Sequence, residues 1–186
     1  MTGTLQPPVE RVVPTADGMH VLGIELAGVL RAGDLVVLSG PLGAGKTTLT
    51  RGIGDGLQVR GPVTSPTFVL ARTHPSLVGG APLVHVDAYR LSSALELDDL
   101  DIDFARSIVV VEWGSGMLDG IAESWLEVDI VRPTGAHGAP GAEMSPAADD
   151  DDPTEDPDPD DELDADEPRR VVIIGYGPRW QSPPLA

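Results

Sequence analysis

The sequence predicts an α/β fold in which a mixed sheet of parallel and antiparallel strands carries helices on both faces, and three observations point there. Short apolar runs at residues 34–39 (DLVVLS) and 108–111 (IVVV) are bounded by glycine or end in an acid, as strands buried within a sheet are. Helical spacing alternates with them, because Met19, Leu22, Leu26 and Leu30 recur at three and four residues, and Leu49, Ile53 and Leu57 at four. Between the first of those strands and the second helix lies a glycine-rich turn, residues 40–45. A chain of 186 residues that is 41% hydrophobic has apolar material for one core, so one domain is expected.

Taken in order, residues 9–13 read as a short strand, and Thr15 as the N-cap of a helix that runs to the neighbourhood of Gly33. The strand at 34–39 leads to a second helix starting near Lys46. Residues 67–72 and 83–87 read as two strands around a Pro- and Gly-containing loop, and their short separation favours an antiparallel hairpin over a crossover. Ser93 and Glu96 form an S-x-x-E capping box, which sets a helix over about 93–100. The run 108–111 is a strand ending in Glu112, with Met117, Leu118 and Ile121 on a short helix after it. Leu126, Val128 and Ile130 alternate with Glu127, Asp129 and Val131 as a strand, and 170–176 (RVVIIGY) reads as the last one.

The net charge is −18, from 12 basic and 30 acidic residues, and it is unevenly spread. Thirteen of the acids fall within 149–167, a window with no basic residue, so the remainder of the chain is only mildly acidic. Residues 135–168 are almost all Gly, Pro, Ala, Asp and Glu, a composition that buries too little apolar area to offset the entropy of ordering. They are expected to be a disordered insertion between two strands of a single domain made of 1–134 and 169–186. A solvated spacer is the first reading of such a run, and a docking segment for a basic partner the second. A balance this acidic repels a phosphate backbone, so tight direct binding of nucleic acid is not expected. The chain has no cysteine, which removes disulfides, thiolate metal sites and cysteine nucleophiles. No N-terminal basic-then-apolar signal is present, and no apolar run nears the roughly 20 residues that span a bilayer. A cytoplasmic location away from membranes is the expectation.

Gly40-Pro41-Leu42-Gly43-Ala44-Gly45-Lys46-Thr47 matches G-x-x-x-x-G-K-[ST], and it sits where that motif must sit, between an apolar strand and a helix start. The fold class is therefore narrowed to a P-loop NTPase-like sheet. Glycines let successive backbone N–H groups turn toward phosphate oxygens, the helix N-terminus adds partial positive charge, and Lys46 reaches the terminal phosphates. The Thr47 hydroxyl is a candidate Mg²⁺ ligand. Lys46 is also the only lysine in the chain, beside eleven arginines, and a narrow loop suits a thin point charge better than a planar guanidinium. The bland reading is a glycine-rich turn capping an ordinary helix.

Such a loop needs a second acid for magnesium and a group to organise the nucleophile. Glu112, ending a β-branched run, has the form of a metal-linked strand-end acid; Asp87 ends the run 83–86, which His85 interrupts. An ordinary strand-end acid is the alternative for each, His85 alone reads as a satisfied strand histidine, and Trp113 reads as packing with adenine contact left open. With no asparagine in the chain and its lysine already assigned, the N-K-x-D loop for guanine is impossible, and adenine is the default base.

Together the run GPLGAGKTTLTRGI, Thr64-Ser65-Pro66-Thr67-Phe68, His85-Val86-Asp87-Ala88-Tyr89-Arg90 and Val111-Glu112-Trp113 resemble, in order and spacing, the bacterial TsaE (also called YjeE) family. The resemblance covers about residues 9–133 and resumes at Arg169. It implies a P-loop ATPase required, with the TsaD and TsaB proteins, for N6-threonylcarbamoyladenosine in tRNA beside the anticodon. Tight binding of tRNA by this chain itself is not implied, only contact through the complex. By resemblance, Gly40, Leu42, Gly43, Ala44, Gly45, Lys46, Thr47 and Thr48 hold the nucleotide, Thr47 and Glu112 hold Mg²⁺, and Asp87 is the catalytic acid or metal-linked residue. Ser65, Pro66 and Thr67 correspond to a switch-like loop near the γ-phosphate, Tyr89 and Arg90 brace Asp87 or face a partner, and Trp113 matches the family tryptophan. The chain departs from the family at Gly114-Ser115-Gly116, where a further acid is common, at Met19, where many relatives carry threonine, and in its long acidic insertion. A small-molecule P-loop kinase is the alternative, and it calls for an acceptor pocket and an arginine-rich lid where the sequence shows scattered arginines. A nucleotide that only props open a binding surface is disfavoured by the paired acids Asp87 and Glu112.

Overall fold

The computed structural model describes residues 7–66, 69–91, 96–97, 99–116, 122–132 and 167–185. Seven strands form one sheet: β1 (Val9–Val13), β2 (Leu35–Ser39), β3 (Ala71–His74), β4 (Leu83–Asp87), β5 (Ile108–Glu112), β6 (Trp125–Val131) and β7 (Arg169–Tyr176). Two α-helices lie wholly within the described residues, α1 (Ala16–Ala27) and α2 (Lys46–Gly56). The spatial order is β1-β7-β6-β2-β5-β4-β3. β2 is parallel to β5 and β6, and β4 to β5, while β3, β7 and β1 pair antiparallel at the two flanks. The expected mixture of parallel and antiparallel strands is thus what the chain adopts.

β2, β4 and β5 are the most apolar strands, and their position inside the sheet explains it: both faces are covered, so neither side of the pleat needs polar residues. β6 and β7 alternate instead, with Leu126, Val128, Ile130, Val171 and Ile173 buried on one face only. That face receives both helices. Met19, Leu22 and Leu26 of α1 and Leu49 and Ile53 of α2 pack on Val36, Leu38, Val110 and the inner residues of β6 and β7. The other face is covered over β2, β4 and β5 by Leu91, Leu97, Leu100, Ile102 and Phe104, which pack on Val37, Val86, Val109 and Val111. Among the described residues this second cover comprises a 3-10 turn (Ala88–Arg90), the helical residues Glu96 and Leu97, and irregular chain.

Thr15 caps α1 as its sequence position implies, its Oγ1 accepting the Gly18 N–H at 3.0 Å. The helix ends at Ala27, earlier than the apolar spacing suggests, yet Leu30 still reaches the core. The strand expected over 67–72 starts later. The Pro66 carbonyl accepts the N–H of both Val69 and Leu70 at 2.9 Å, and Leu70 turns through φ 63°, so a tight turn takes up the chain until Ala71. The expected antiparallel hairpin with β4 then forms, Ala71 facing Val86 and His74 facing Leu83. Of the helix expected over 93–100, Glu96 and Leu97 are helical, while Ser93 lies outside the described residues; so does the helix expected around Met117, Leu118 and Ile121.

β6 and β7 pair along their whole length, with Val131 opposite Arg170. Arg132 and Glu167 meet at 3.2 Å just beyond that register, so the acidic stretch 135–166, outside the described residues, leaves and rejoins the sheet at neighbouring points. At the opposite end of the sheet, buried Asp34 receives Arg179 Nε at 3.0 Å and the Arg31 amide at 2.9 Å, which ties the C-terminal segment to the start of β2. No helix among the described residues is long and apolar enough to cross a membrane.

Candidate active site

The parallel strands β2, β4 and β5 end at one edge of the sheet, and the residues singled out from sequence gather there. β2 delivers the chain to the glycine-rich turn, where Gly40, Gly43 and Gly45 adopt φ of 144°, 67° and 101°. These values are closed to most residues with a Cβ. At Gly40 a Cβ would in addition run into the Ile130 carbonyl, so the turn hugs β6. Gly45 is the residue before α2, whose first amides have no intrahelical acceptor and carry the positive end of the helix dipole. Ala44 is fully buried, whereas the Leu42 side chain is 70% exposed, which leaves the Leu42 backbone as its part of the turn.

Lys46 opens α2 and folds back across the turn. Its Nζ donates to the carbonyls of Gly40 at 3.1 Å and Pro41 at 3.0 Å, and lies 3.8 Å from the centre of the Trp113 ring. Trp113 reaches that position through a left-handed backbone, φ 62°, while its N–H continues the sheet to Leu38 at 3.0 Å. Tyr89, largely exposed, meets the same indole edge-on with centroids 5.5 Å apart. The ring face of the tryptophan packs on the lysine of the turn.

Below the lysine, Thr47 donates its hydroxyl to Glu112 Oε1 at 3.1 Å, and both residues are buried. In-register pairing sets Glu112 beside Leu38 of β2 and beside Asp87 of β4. Asp87 is 6% exposed, and its Oδ1 accepts the Tyr89 N–H at 3.0 Å, capping the 3-10 turn. Thr48, the third residue of α2, is half-buried. The backbone of Ser65 and Pro66 leads toward the β3 turn, and Thr67 lies outside the described residues.

His85 is the residue whose place sequence reasoning missed. Completely buried, it shares the helix-side face of β4 with Asp87, and its Nε2 is 2.8 Å from Glu112 Oε1, the same oxygen that Thr47 contacts. Donation from the imidazole to this carboxylate oxygen requires the tautomer with its proton on Nε2. Its Nδ1 is buried without a hydrogen-bond partner among the described residues. The i, i+2 spacing of His85 and Asp87 was the available signal, since it puts both on one face. Met19 and Arg169, both buried, come up to Gly45 from α1 and β7: a Cβ there would stand 3.4 Å from Met19 Cγ and 3.8 Å from Arg169 Nε.

Chemically, this is a ring of backbone donors at a helix start with one ammonium beside it and a buried oxygen pair beneath. Hydroxyl and carboxylate oxygens 3.1 Å apart are the hard donors that magnesium takes. Among the described residues no three His, Cys, Asp or Glu side chains gather as a self-sufficient metal cage. The Thr47–Glu112 pair is a smaller set of oxygens, of the kind magnesium takes where phosphate oxygens and water supply the remaining positions.

Residues 13–137 match the family model described as threonylcarbamoyl adenosine biosynthesis protein TsaE. The chain belongs to this family. A Streptomyces coelicolor protein named tRNA threonylcarbamoyladenosine biosynthesis protein TsaE is 51% identical over 167 residues, which is 88% of this chain and 95% of that one. A Mycobacterium leprae protein of the same name is 47% identical over 132 residues, 66% of this chain and 80% of its own. The crystal structure of Bacillus subtilis YdiB superposes with a TM-score of 0.64 at 22% identity, covering 97% of this chain and 93% of that one, a likeness of fold. The region matched by the TsaE family model holds the turn, both acids and Trp113, while β7 with Arg169 lies beyond it.

Proposed function

We propose that this chain binds and hydrolyses ATP at the 40–47 turn and that it acts with the TsaD and TsaB proteins in placing N6-threonylcarbamoyladenosine beside the anticodon of tRNA. The observation that carries the reading is the buried Thr47–Glu112 contact, with Asp87 in register beside it and the Lys46 ammonium folded over the glycine-rich turn. The names of the relatives give the pathway and leave the small-molecule kinase alternative without support.

In this reading the amides of Gly40, Leu42, Gly43, Ala44 and Gly45 hold phosphate oxygens, and Lys46 neutralises the terminal charges. Thr47 and Glu112 hold Mg²⁺, which when bound polarises the phosphoryl oxygens and spreads the developing charge. Asp87 orients the attacking water or the metal's hydration shell, and His85 keeps the Glu112 carboxylate in one rotamer. Thr48 extends the polar wall around the phosphates, and Thr67, outside the described residues, is a nucleotide contact in this reading by family resemblance alone. Trp113 fixes the lysine by its ring face, and its exposed edge is the surface open to the nucleotide. Hydrolysis is slow in the isolated chain and is coupled to the partner complex.

The single domain comprises residues 1–134 and 169–186, with 135–168 as a polar insertion away from this chemistry. With a net charge of −18, the chain meets tRNA through its partners rather than by its own surface, and it works in the cytoplasm.

Calorimetric titration with Mg–ATP tests the site. Wild type is expected to bind and Lys46→Ala to show no measurable binding, because the substitution removes the ammonium while keeping the glycines and the helix start. Equal affinity in the two proteins would refute the assignment.

A further inference from the structure

Among the described residues, one half of the sheet is only partly covered on its second face. On the side opposite α1 and α2 the described cover thins out at the start of β6, where Trp125 still joins the apolar cluster and Ser115 reaches Glu127, and no described apolar cluster takes in the outward residues of β1, β7 and the rest of β6. This face is neither purely polar nor purely apolar. Val172 and Ile174 form its floor beside the stacked rings of Trp125 and Tyr176, 4.7 Å apart, and Val12 is 74% exposed at its edge. Cross-strand register sets Asp129 between Ser39 and Val172, and Glu127 between Val37 and Ile174. Between them is a hollow of about 350 Å³ lined by Ser39, Ser115, Glu127, Asp129, Val172 and Ile174.

The charge of this hollow is one-sided. Arg170, the nearest cation by register, is held by Glu10 at 2.7 Å on the outer strand. Glu127 accepts from Ser115 at 3.0 Å, and proximity to this carboxylate adds to the burial that pushes the Tyr176 phenol above its ordinary value. No described cation pairs with Glu127 or Asp129. Ser39 adds a second, independent feature: its Oγ is buried with no hydrogen-bond partner among the described residues. An orphaned hydroxyl in the wall of an acidic, apolar-floored hollow lacks what an arginine or lysine side chain would bring, an alkyl stem for the valine and isoleucine and N–H donors for three oxygens.

We propose that the partly covered β1-β7-β6 face is a protein-docking surface, and that its occupant is a basic segment of a partner whose arginine or lysine enters the hollow between Glu127 and Asp129. The acidic stretch 135–166 of this chain is excluded as occupant by like charge, and tRNA by its phosphates. The hollow also touches the candidate active site at two points. Ser39 is the residue before Gly40, and Ser115, which bonds Glu127, is two residues past Trp113. A cation drawing on Ser39 and Glu127 pulls directly on the two segments that carry the phosphate turn and the tryptophan, so docking here is coupled to nucleotide binding.

The proposal rests on TsaD and TsaB being the partners, and its test keeps the two ideas apart. The full chain, Asp129→Lys, Glu127→Lys/Asp129→Lys and, as a control on α1, Glu25→Lys are titrated with purified TsaD and TsaB at low and at physiological salt, and with Mg–ATP alone. Asp129 has no side-chain partner among the described residues, so its single variant keeps the test valid where the double variant folds poorly. The expected result is a loss of partner affinity of roughly tenfold or more for both Asp129 variants, greatest at low salt, with Glu25→Lys and Mg–ATP affinity unchanged. Wild-type binding that survives intact in Asp129→Lys overturns the docking face alone. A wild-type chain that does not bind TsaD and TsaB at all overturns the family partners, and this occupant with them.

Discussion

Asp87 offers the sharpest residue-scale prediction, because its structural and chemical duties are separable. Its Oδ1 caps the 3-10 turn through the Tyr89 amide, and an asparagine oxygen does the same, so Asp87→Asn is expected to fold and to bind nucleotide. Hydrolysis should fall by tenfold or more, the lower range for a positioned acid or base; wild-type turnover in single-turnover phosphate release would remove Asp87 from the mechanism. At this scale the sequence was most informative where backbone and side-chain demands coincide. Gly40, Gly45, Lys46, Thr47 and Glu112 are legible because the turn requires positive φ at the glycines and the strand end requires an acid. His85 was not legible, since a lone histidine in an apolar run says nothing of its partner. That its Nε2 meets the Glu112 oxygen 27 residues away depends on the β4–β5 register, which sequence leaves open.

Among the elements, α1 and α2 make the tightest fit. Gly23 and Gly52 stand at their crossing, where a Cβ on Gly52 would overlap the His20 carbonyl and one on Gly23 would overlap the Leu49 carbonyl. Backbone lies against backbone there, so no rotamer change relieves an added methyl. Gly52→Ala is expected to cost about 1–3 kcal/mol or more, even though alanine is the better helix former, and urea denaturation measures it; a neutral or stabilising effect would mean that the helices are farther apart. α2 carries Lys46 and Thr47, so this packing also sets the height of the phosphate turn above Glu112. The strands and helices were legible from periodicity where runs were long, as in β2, β5 and α2. Periodicity failed at 67–70, because the turn after Pro66 rests on two hydrogen bonds to one carbonyl and on a left-handed leucine, neither of which has a composition signature. It also gave no sign that both α-helices share one face.

At the scale of the whole chain, most of the acidic charge and the candidate site fall in different segments of the sequence. The acidic stretch departs beyond Val131 and returns before Arg169, on paired strands, with the Arg132–Glu167 contact closing its base. Replacing 135–166 by a short Gly-containing turn should leave a folded chain with its basal hydrolysis unchanged, because loop-closure entropy varies only slowly with length. Loss of hydrolysis in a deletion variant whose circular dichroism is native would show that the stretch belongs to the working site. The account as a whole stands on the intact chain releasing phosphate from ATP in its partners' company. The direct measurement is magnesium-dependent release of inorganic phosphate by the chain alone and with purified TsaD and TsaB. Slow release that changes on adding both proteins, and disappears in Lys46→Ala, is the predicted result; no release under either condition, or transfer of the phosphoryl group to a small-molecule acceptor, would contradict it.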